Sequence, residues 1–354
     1  MKKDRELPPG VFLRGRWYCR AKREGKKIVW IKLTQARDGL AVLYAKMAEL
    51  HKDGAGNDRI PALAAHWLRE ISTTHKPKTQ ANDKWVMAAI SEAFAEFRAC
   101  QVTPPDVVTW LKRYREKPRT HNEMRAGMRE LMRFAEAEGY RDAGTNPVDS
   151  VKTAKVQKRD RYPTDSEIRR IKAAACRGAD GKRTRMGTTL AGLIDLAYLT
   201  GQRIGDLLEL RWSKKAATED GQVIAPFVAE DGLYFKPSKT SGSTGAKVRI
   251  EWTPRLQATI ERFRSIGRRN LTFVVTNQEA QRYDYEAFKS AWARALERSG
   301  VKDLHFHDLR AKALTDTDAE GGIKAAQTMG AHSTQTQTAS YIRHRKAQSA
   351  KATK

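Results

Sequence analysis

Two short stretches that offer almost nothing to bury divide this chain of 354 residues into three parts. Asp53-Gly54-Ala55-Gly56-Asn57-Asp58 is small and polar, a composition that favours turns and open chain over packed elements. Val151 to Arg161 carries Lys152, Lys155, Lys158, Arg159 and Arg161 with few apolar anchors, and reads as a second, positively charged linker entered through Asn146-Pro147. The expected divisions are residues 1–55, 60–150 and 160–354. A chain of this length is long for one core and comfortable for two or three. No period of 20–50 residues repeats, which argues against a solenoid.

Each part has its own periodicity. Val11–Leu13, Arg16–Ala21 and Ile28–Leu33 are β-prone runs separated by Gly15 and by Arg23-Glu24-Gly25-Lys26. After them, Ala41, Tyr44, Met47 and Leu50 recur at helical spacing within Leu40–His51, so a three-stranded sheet with one packed helix is expected. Trp17, Tyr18 and Trp30 interleave with Arg14, Arg16, Arg20, Lys27 and Lys32. Such a strand face suits a DNA groove, while the same aromatics suit the core of a very small domain. Alternate strand residues face opposite ways, so the two readings are compatible. Ile60–Ile71, Ala81–Ala99, Pro105–Glu116 and Arg119–Glu138 carry apolar residues three and four apart, predicting a helical bundle. Lys76, Lys78, Lys112, Arg113, Arg115, Lys117 and Arg119 give it a basic side, although solvated helix faces would account for many of them. Thr164-Asp165-Ser166-Glu167 has the pattern of a capping box and opens a third part, mainly helical with one hairpin.

Composition narrows the partner. Lys and Arg total 67 against 41 acidic residues, a formal charge of +26. An excess of that size favours a polyanion, because each neutralised phosphate releases condensed counterions. Charge alone fits a ribosomal or merely solubilising role as well. No apolar run approaches the roughly 20 residues that span a bilayer. The opening MKKDRELPPG lacks a following apolar segment, so no secretory signal is expected. Cys19, Cys100 and Cys176 are too few and too scattered for a disulfide framework or a zinc cluster. A basic cytoplasmic protein, needing no cofactor or metal and touching no membrane, is the expectation.

The third part holds polar residues that folding alone explains poorly. Arg203 follows the apolar run Leu190–Leu199 and precedes another, Ile204 to Trp212, at the first turn of a helix. Helix N-termini attract anions, so an arginine there makes a phosphate site; a buried ion pair with Asp206 or Glu209 is the alternative. Between the β-prone runs Gly232–Phe235 and Val248–Trp252 lies a glycine-rich loop with Lys236 and Lys239, one of which would reach a DNA groove, although loop lysines are commonly just solvated. His307 and Arg310 share one face of a helical turn. Met329-Gly330-Ala331-His332 then leads through a polar stretch to Tyr341.

In this order the residues resemble the tyrosine recombinases of the phage integrase family. Thr200-Gly201-Gln202-Arg203-Ile204-Gly205-Asp206-Leu207-Leu208 is similar to their first arginine box, and His307-Asp308-Leu309-Arg310 to their His-x-x-Arg box. His332 and Tyr341, with Thr338 between, resemble the second histidine and the nucleophile. The motifs cover about residues 160–345; residues 1–155 resemble the family only in layout. Two positions depart from the pattern: Asp206 where Glu is usual, and Ala331 directly before the second histidine where Gly is common, with Gly330 one place earlier.

The resemblance implies a multidomain, mainly α fold with small β elements: a three-stranded arm-binding domain (1–55), a helical core-binding domain (60–150) and a mixed α/β catalytic domain (160–354). It implies that Tyr341 attacks a DNA phosphate to give a 3′-phosphotyrosyl intermediate and a free 5′-hydroxyl. Arg203 and Arg310 would stabilise the phosphate's charge, His307 would serve as acid and base, and His332 would hydrogen-bond the scissile phosphate. Lys239 would protonate the leaving oxygen, with Lys236 and then Lys247 as alternatives. Integration and excision at double-stranded attachment sites by a homotetramer, with DNA-bending and excision factors, would follow. A type IB topoisomerase-like enzyme and a catalytically inactive DNA-binding regulator are the competing readings.

Overall fold

The computed structural model describes Leu7 and residues 11–24, 27–53, 58–236, 247–266 and 270–343. The chain forms two compact units, Met1–Lys158 and Arg159–Lys354.

The first unit begins with an antiparallel sheet in the order β1 (Val11–Arg14), β2 (Trp17–Glu24), β3 (Lys27–Gln35), followed by α1 (Gly39–Asp53). A register shift between Tyr18 and Cys19 places a bulge in β2–β3. Among the described residues Val11, Cys19, Thr34 and Leu43 are enclosed, whereas Trp17, Tyr18 and Trp30 are only half-buried. The Arg14 guanidinium lies 4.3 Å above the Trp30 ring and the Lys32 ammonium 5.3 Å from that of Trp17. Trp17 and Trp30 therefore carry cations on a partly open face rather than forming the sealed core.

Helices α2 (Ile60–Glu70), α3 (Pro77–Ala93), α4 (Pro104–Leu111) and α5 (Pro118–Ala137) build the bundle. Leu63, Met87, Ile90, Met124, Met128 and Leu131 are buried at its centre. Three of the four start with a proline at the first helical position, where the missing N–H has no intrahelical use, and α2 has Pro61 at its second. That moves the start of α3 four residues ahead of the predicted Ala81, and its end falls at Ala93.

The basic segment from Val151 is tied down at both ends more firmly than its composition suggests. Val151 is buried in the bundle, its carbonyl accepts from Arg125 Nε at 2.6 Å, and Asn122 exchanges two hydrogen bonds with the Ala154 backbone. Arg159 and Arg161, at the start of the second unit, are equally engaged there. Arg159 donates to both oxygens of Asp308 at 2.9–3.0 Å and to Asp303 at 2.7 Å, and Arg161 pairs with Glu167. The apparent linker lacks apolar anchors because its anchors are polar.

In the second unit α6 (Asp165–Cys176) carries the expected capping box, Thr164 and Glu167 bonding each other's backbone N–H. Helix α7 (Gly187–Thr200) is buried on nearly every face, as its unbroken apolar run requires, and the short α8 (Ile204–Leu208) follows. A two-stranded ribbon, β4 (Thr218–Glu219) and β5 (Gln222–Val223), precedes a three-stranded antiparallel sheet. The latter adds β6 (Phe227–Ala229) to the predicted pair β7 (Gly232–Phe235) and β8 (Val248–Ile250). At three residues, directly after Pro226, β6 is too short for its alternation to register. The remaining helices are α9 (Pro254–Ser265), α10 (Tyr285–Ser299), α11 (Asp308–Gly330) and α12 (Gln335–Ala339). Gly322, at φ 77° and ψ 173°, breaks α11 into two helical pieces. Among the described residues no helix is long and apolar enough to cross a membrane. A mainly α chain with small sheets, ordered as three strands, helical bundle and mixed α/β part, is the fold class expected.

Asp308 is 3% exposed, so removing Arg159 leaves a carboxylate buried without its bidentate partner. Arg159→Ala should cost about 3 kcal/mol of local stability. Amide hydrogen exchange should quicken in the first turns of α11; unchanged protection there would show that the pair holds nothing in place.

Candidate active site

The site assembles at helix ends. Helix α7 stops at Gly201, which adopts φ 62° and packs so closely that a Cβ there would lie 3.2 Å from the Met329 side chain. Gln202 is buried and donates through Nε2 to the Met329 carbonyl at 2.7 Å, tying this turn to the far end of α11. Arg203, half-buried, is the residue that caps the N-terminus of α8. Glu209 is occupied by Arg211 and Arg282, which removes one of the two ion-pair readings of Arg203. The Nη1 of Arg203 is buried without a hydrogen-bond partner among the described residues.

His307 caps α11 and Arg310 lies in its first turn, 1% exposed. Arg310 donates through Nη1 to the carbonyl of Gly201 and through Nη2 to the carbonyl of Gly330 at 2.8 Å and to His332 Nε2 at 2.9 Å. Gly201 ends α7 and Gly330 ends α11, so both acceptors sit at the negative ends of helices. Past α11 the chain turns through Ala331 at φ 48°, a left-handed conformation. The family's usual glycine would enter it freely; the Ala331 methyl makes it cost roughly 1 kcal/mol. Gly330 is required for another reason: a Cβ on it would lie 2.9 Å from the His332 ring.

Tyr341 follows α12 and closes the cluster. Its hydroxyl is 3.2 Å from His307 Nε2, its ring stacks on His332 at 5.1 Å and 23°, and the Arg310 guanidinium lies 5.4 Å from its ring. Four of the six residues picked from the sequence, His307, Arg310, His332 and Tyr341, are thus joined by direct contacts, and Arg203 is near enough for its charge to act on His307, Arg310 and His332. Lys239 lies outside the described residues; Lys236 and Lys247 sit at the described ends of β7 and β8, half-buried and exposed respectively. Sequence reasoning gave no role to Arg159, Gln202 or Thr338. Arg159 was indistinguishable from its basic neighbours, and the other two act through contacts with distant backbone or ring atoms that spacing does not reveal.

Crowded positive charge sets the protonation. Burial, and after it the charge of Arg203, pushes Arg310 down to about 10, with Tyr341 and Asp206 pulling the other way. His332 is held at about 4 by burial and by both guanidiniums. His307 is also held at about 4, by packing around the ring and then by Arg310 and Arg203, against Asp308. His307 is exposed, so the guanidiniums are the firmer cause there. Both imidazoles are neutral at pH 7. Two arginines with unspent donors beside neutral histidines and a phenol form a receptor for an anion such as a phosphodiester.

Comparison with known proteins places this arrangement. The model of the phage integrase family matches residues 162–348, more than half of the chain and all six candidate positions. The chain belongs to the phage integrase family. The integrase of Escherichia phage HK022 is 25% identical over 364 aligned positions, covering 95% of this chain and 93% of that one. Among solved structures, a lambda integrase dimer bound to a COC′ core site superposes with a TM-score of 0.67 at 21% identity, covering 99% of this chain and all of that one. A lambda integrase tetramer bound to a Holliday junction gives the same TM-score over 98% and 99% of the two chains, also at 21% identity. At those identities the structures establish that this phage integrase family member has their fold from end to end, sheet and bundle included.

A histidine whose folded pKa lies below its ordinary 6.5 favours folding when neutral, so stability is full above pH 6.5 and is lost as pH falls toward 4. Denaturant unfolding of the DNA-free protein should show that decline, and His307→Gln with His332→Gln should flatten it. A profile unchanged by the double substitution would contradict this charge arrangement.

Proposed function

We propose that this chain is an integrase: a site-specific recombinase that cuts and rejoins double-stranded DNA at attachment sites through a bond from Tyr341 to a backbone phosphate. The observation that carries the reading is the Tyr341 hydroxyl 3.2 Å from His307, with Arg310 over its ring and the charge of Arg203 felt by His307, Arg310 and His332, in a chain of this family. Attack by the phenolic oxygen forms a Tyr341–phosphorus bond and breaks the bond to the 5′ oxygen, leaving a 3′-phosphotyrosyl end. His307, neutral and 3.2 Å away, is placed to take the phenolic proton. Charge that grows on the nonbridging oxygens meets two fixed guanidiniums, so stabilisation needs no reorganisation. The leaving oxygen takes a proton from Lys239. Because the phosphoryl group stays covalently held, the second strand end can reverse the step without ATP.

Residues 1–55, with their aromatic and basic sheet face, are assigned to arm-type sites, 60–150 to the core site and 160–354 to catalysis. A homotetramer exchanging strands through a Holliday junction, assisted by DNA-bending and excision factors, completes the reading, for which the lambda integrase tetramer is the precedent. A type IB topoisomerase-like activity fits less well, since relaxation has no use for a second class of DNA site.

On a nicked attachment-site duplex the protein should form an SDS-resistant adduct that is absent in Tyr341→Phe. Arg203→Ala should bind the same duplex within a few-fold of the parent and cleave it about 100-fold or more slowly. Equal losses of binding and cleavage would remove Arg203 from the transition state. Wild-type protein that binds but never forms the adduct would leave only a regulatory reading.

A further inference from the structure

The proton count around His332 has a single solution. A guanidinium has donors and no acceptors, so Arg310 Nη2, 2.9 Å from His332 Nε2, requires a lone pair on that nitrogen. A neutral imidazole with Nε2 unprotonated carries its hydrogen on Nδ1. Nδ1 is 3.0 Å from the hydroxyl of Thr338, which must then accept. The hydroxyl's own hydrogen is directed to the Thr334 carbonyl, 3.3 Å away. Every donor in this line has an acceptor: Arg310 Nη2 to His332 Nε2, His332 Nδ1 to Thr338 Oγ1, Thr338 Oγ1 to Thr334 O. Thr338 is fully buried and His332 6% exposed, so water offers little competition for these bonds. The short helix α12 holds Thr338 in place, with the Thr334 hydroxyl accepting at its N-terminus from Gln337 N.

We infer that Thr338 is a positioning residue: by accepting from Nδ1 it fixes His332 in the Nδ1–H tautomer, which makes Nε2 an acceptor that holds the guanidinium of Arg310. The inference rests on the recombinase reading for its consequence in catalysis, not for the tautomer itself. In the DNA-free arrangement His332 Nε2 is thus an acceptor that holds Arg310. With the opposite tautomer, an Nε2–H would face the Arg310 N–H, and the guanidinium would have to turn away from the position it shares with the carbonyls of Gly201 and Gly330.

The tautomer is measured without DNA. In full-length protein labelled with ¹⁵N in its histidine rings, with His332 assigned by loss of its signals in His332→Gln, Nδ1 should resonate as protonated and Nε2 as bare at pH 7. Thr338→Val keeps the shape and removes the acceptor; it should abolish that single tautomer and slow adduct formation at saturating DNA by about tenfold or more, with site binding little changed. Thr338→Ser should restore both signals and rate. A protonated Nε2 in the wild type, an unaltered tautomer in Thr338→Val, or a Thr338→Ser protein as impaired as Thr338→Val would each overturn the inference. If the wild type forms no adduct, the recombinase reading fails while the ring nitrogens still report on Thr338.

Discussion

The candidate site in the second unit is arranged around one buried guanidinium. Arg310 is almost wholly enclosed, and burying a guanidinium costs several kcal/mol unless its hydrogen bonds are met. Here they are met chiefly by carbonyl oxygens at the C-terminal ends of α7 and α11, where the helix dipoles add negative potential. Satisfying Arg310 therefore requires those two helix ends to meet. Gly201 and Gly330 let them do so, one by its left-handed turn and both by leaving room. The same closure sets His332 beside Arg310, Arg203 at the next helix start and Tyr341 over the top. Fold and site share one constraint.

That constraint leaves the site electrostatically unfinished. Burial first, and then the charge of Arg203 and Arg310, holds two histidines neutral, and burial with the charge of Arg203 lowers Arg310 itself. Such an arrangement costs stability in the free protein and is relieved by an anion, which is the behaviour expected of a site built for charge that develops on phosphate rather than for charge already present. Asp308, between His307 and Arg310, is held by Arg159, so the carboxylate nearest in sequence offsets the charge felt by His307 only in part and anchors the helix that carries the receptor.

Much of this was legible in the sequence, for identifiable reasons. The strands and α1 announced themselves by alternation and by helical spacing, the capping box of α6 by its four residues, and the site by polar side chains set between apolar runs. What sequence did not convey was anything that depends on backbone atoms from elsewhere. The carbonyls that hold Arg310, the left-handed turn at Ala331 and the break at Gly322 leave no periodic trace. The segment from Val151 looked unanchored because arginine-to-carboxylate and asparagine-to-backbone contacts are invisible to a count of apolar residues. The ion-pair reading of Arg203 could be weighed only once Glu209 was seen to bind Arg211 and Arg282. Lys239 lies outside the described residues, so its place in the site remains the resemblance's.

The central claim is that Arg203, Arg310 and Tyr341 converge on one phosphorus. Its most direct test is a structure of the protein on nicked attachment-site DNA with vanadate in place of the scissile phosphate. Vanadium is expected to be bonded to the Tyr341 oxygen, with both guanidiniums donating to its equatorial oxygens. Vanadate bound with Tyr341 turned away, or with either arginine directed elsewhere, would contradict it.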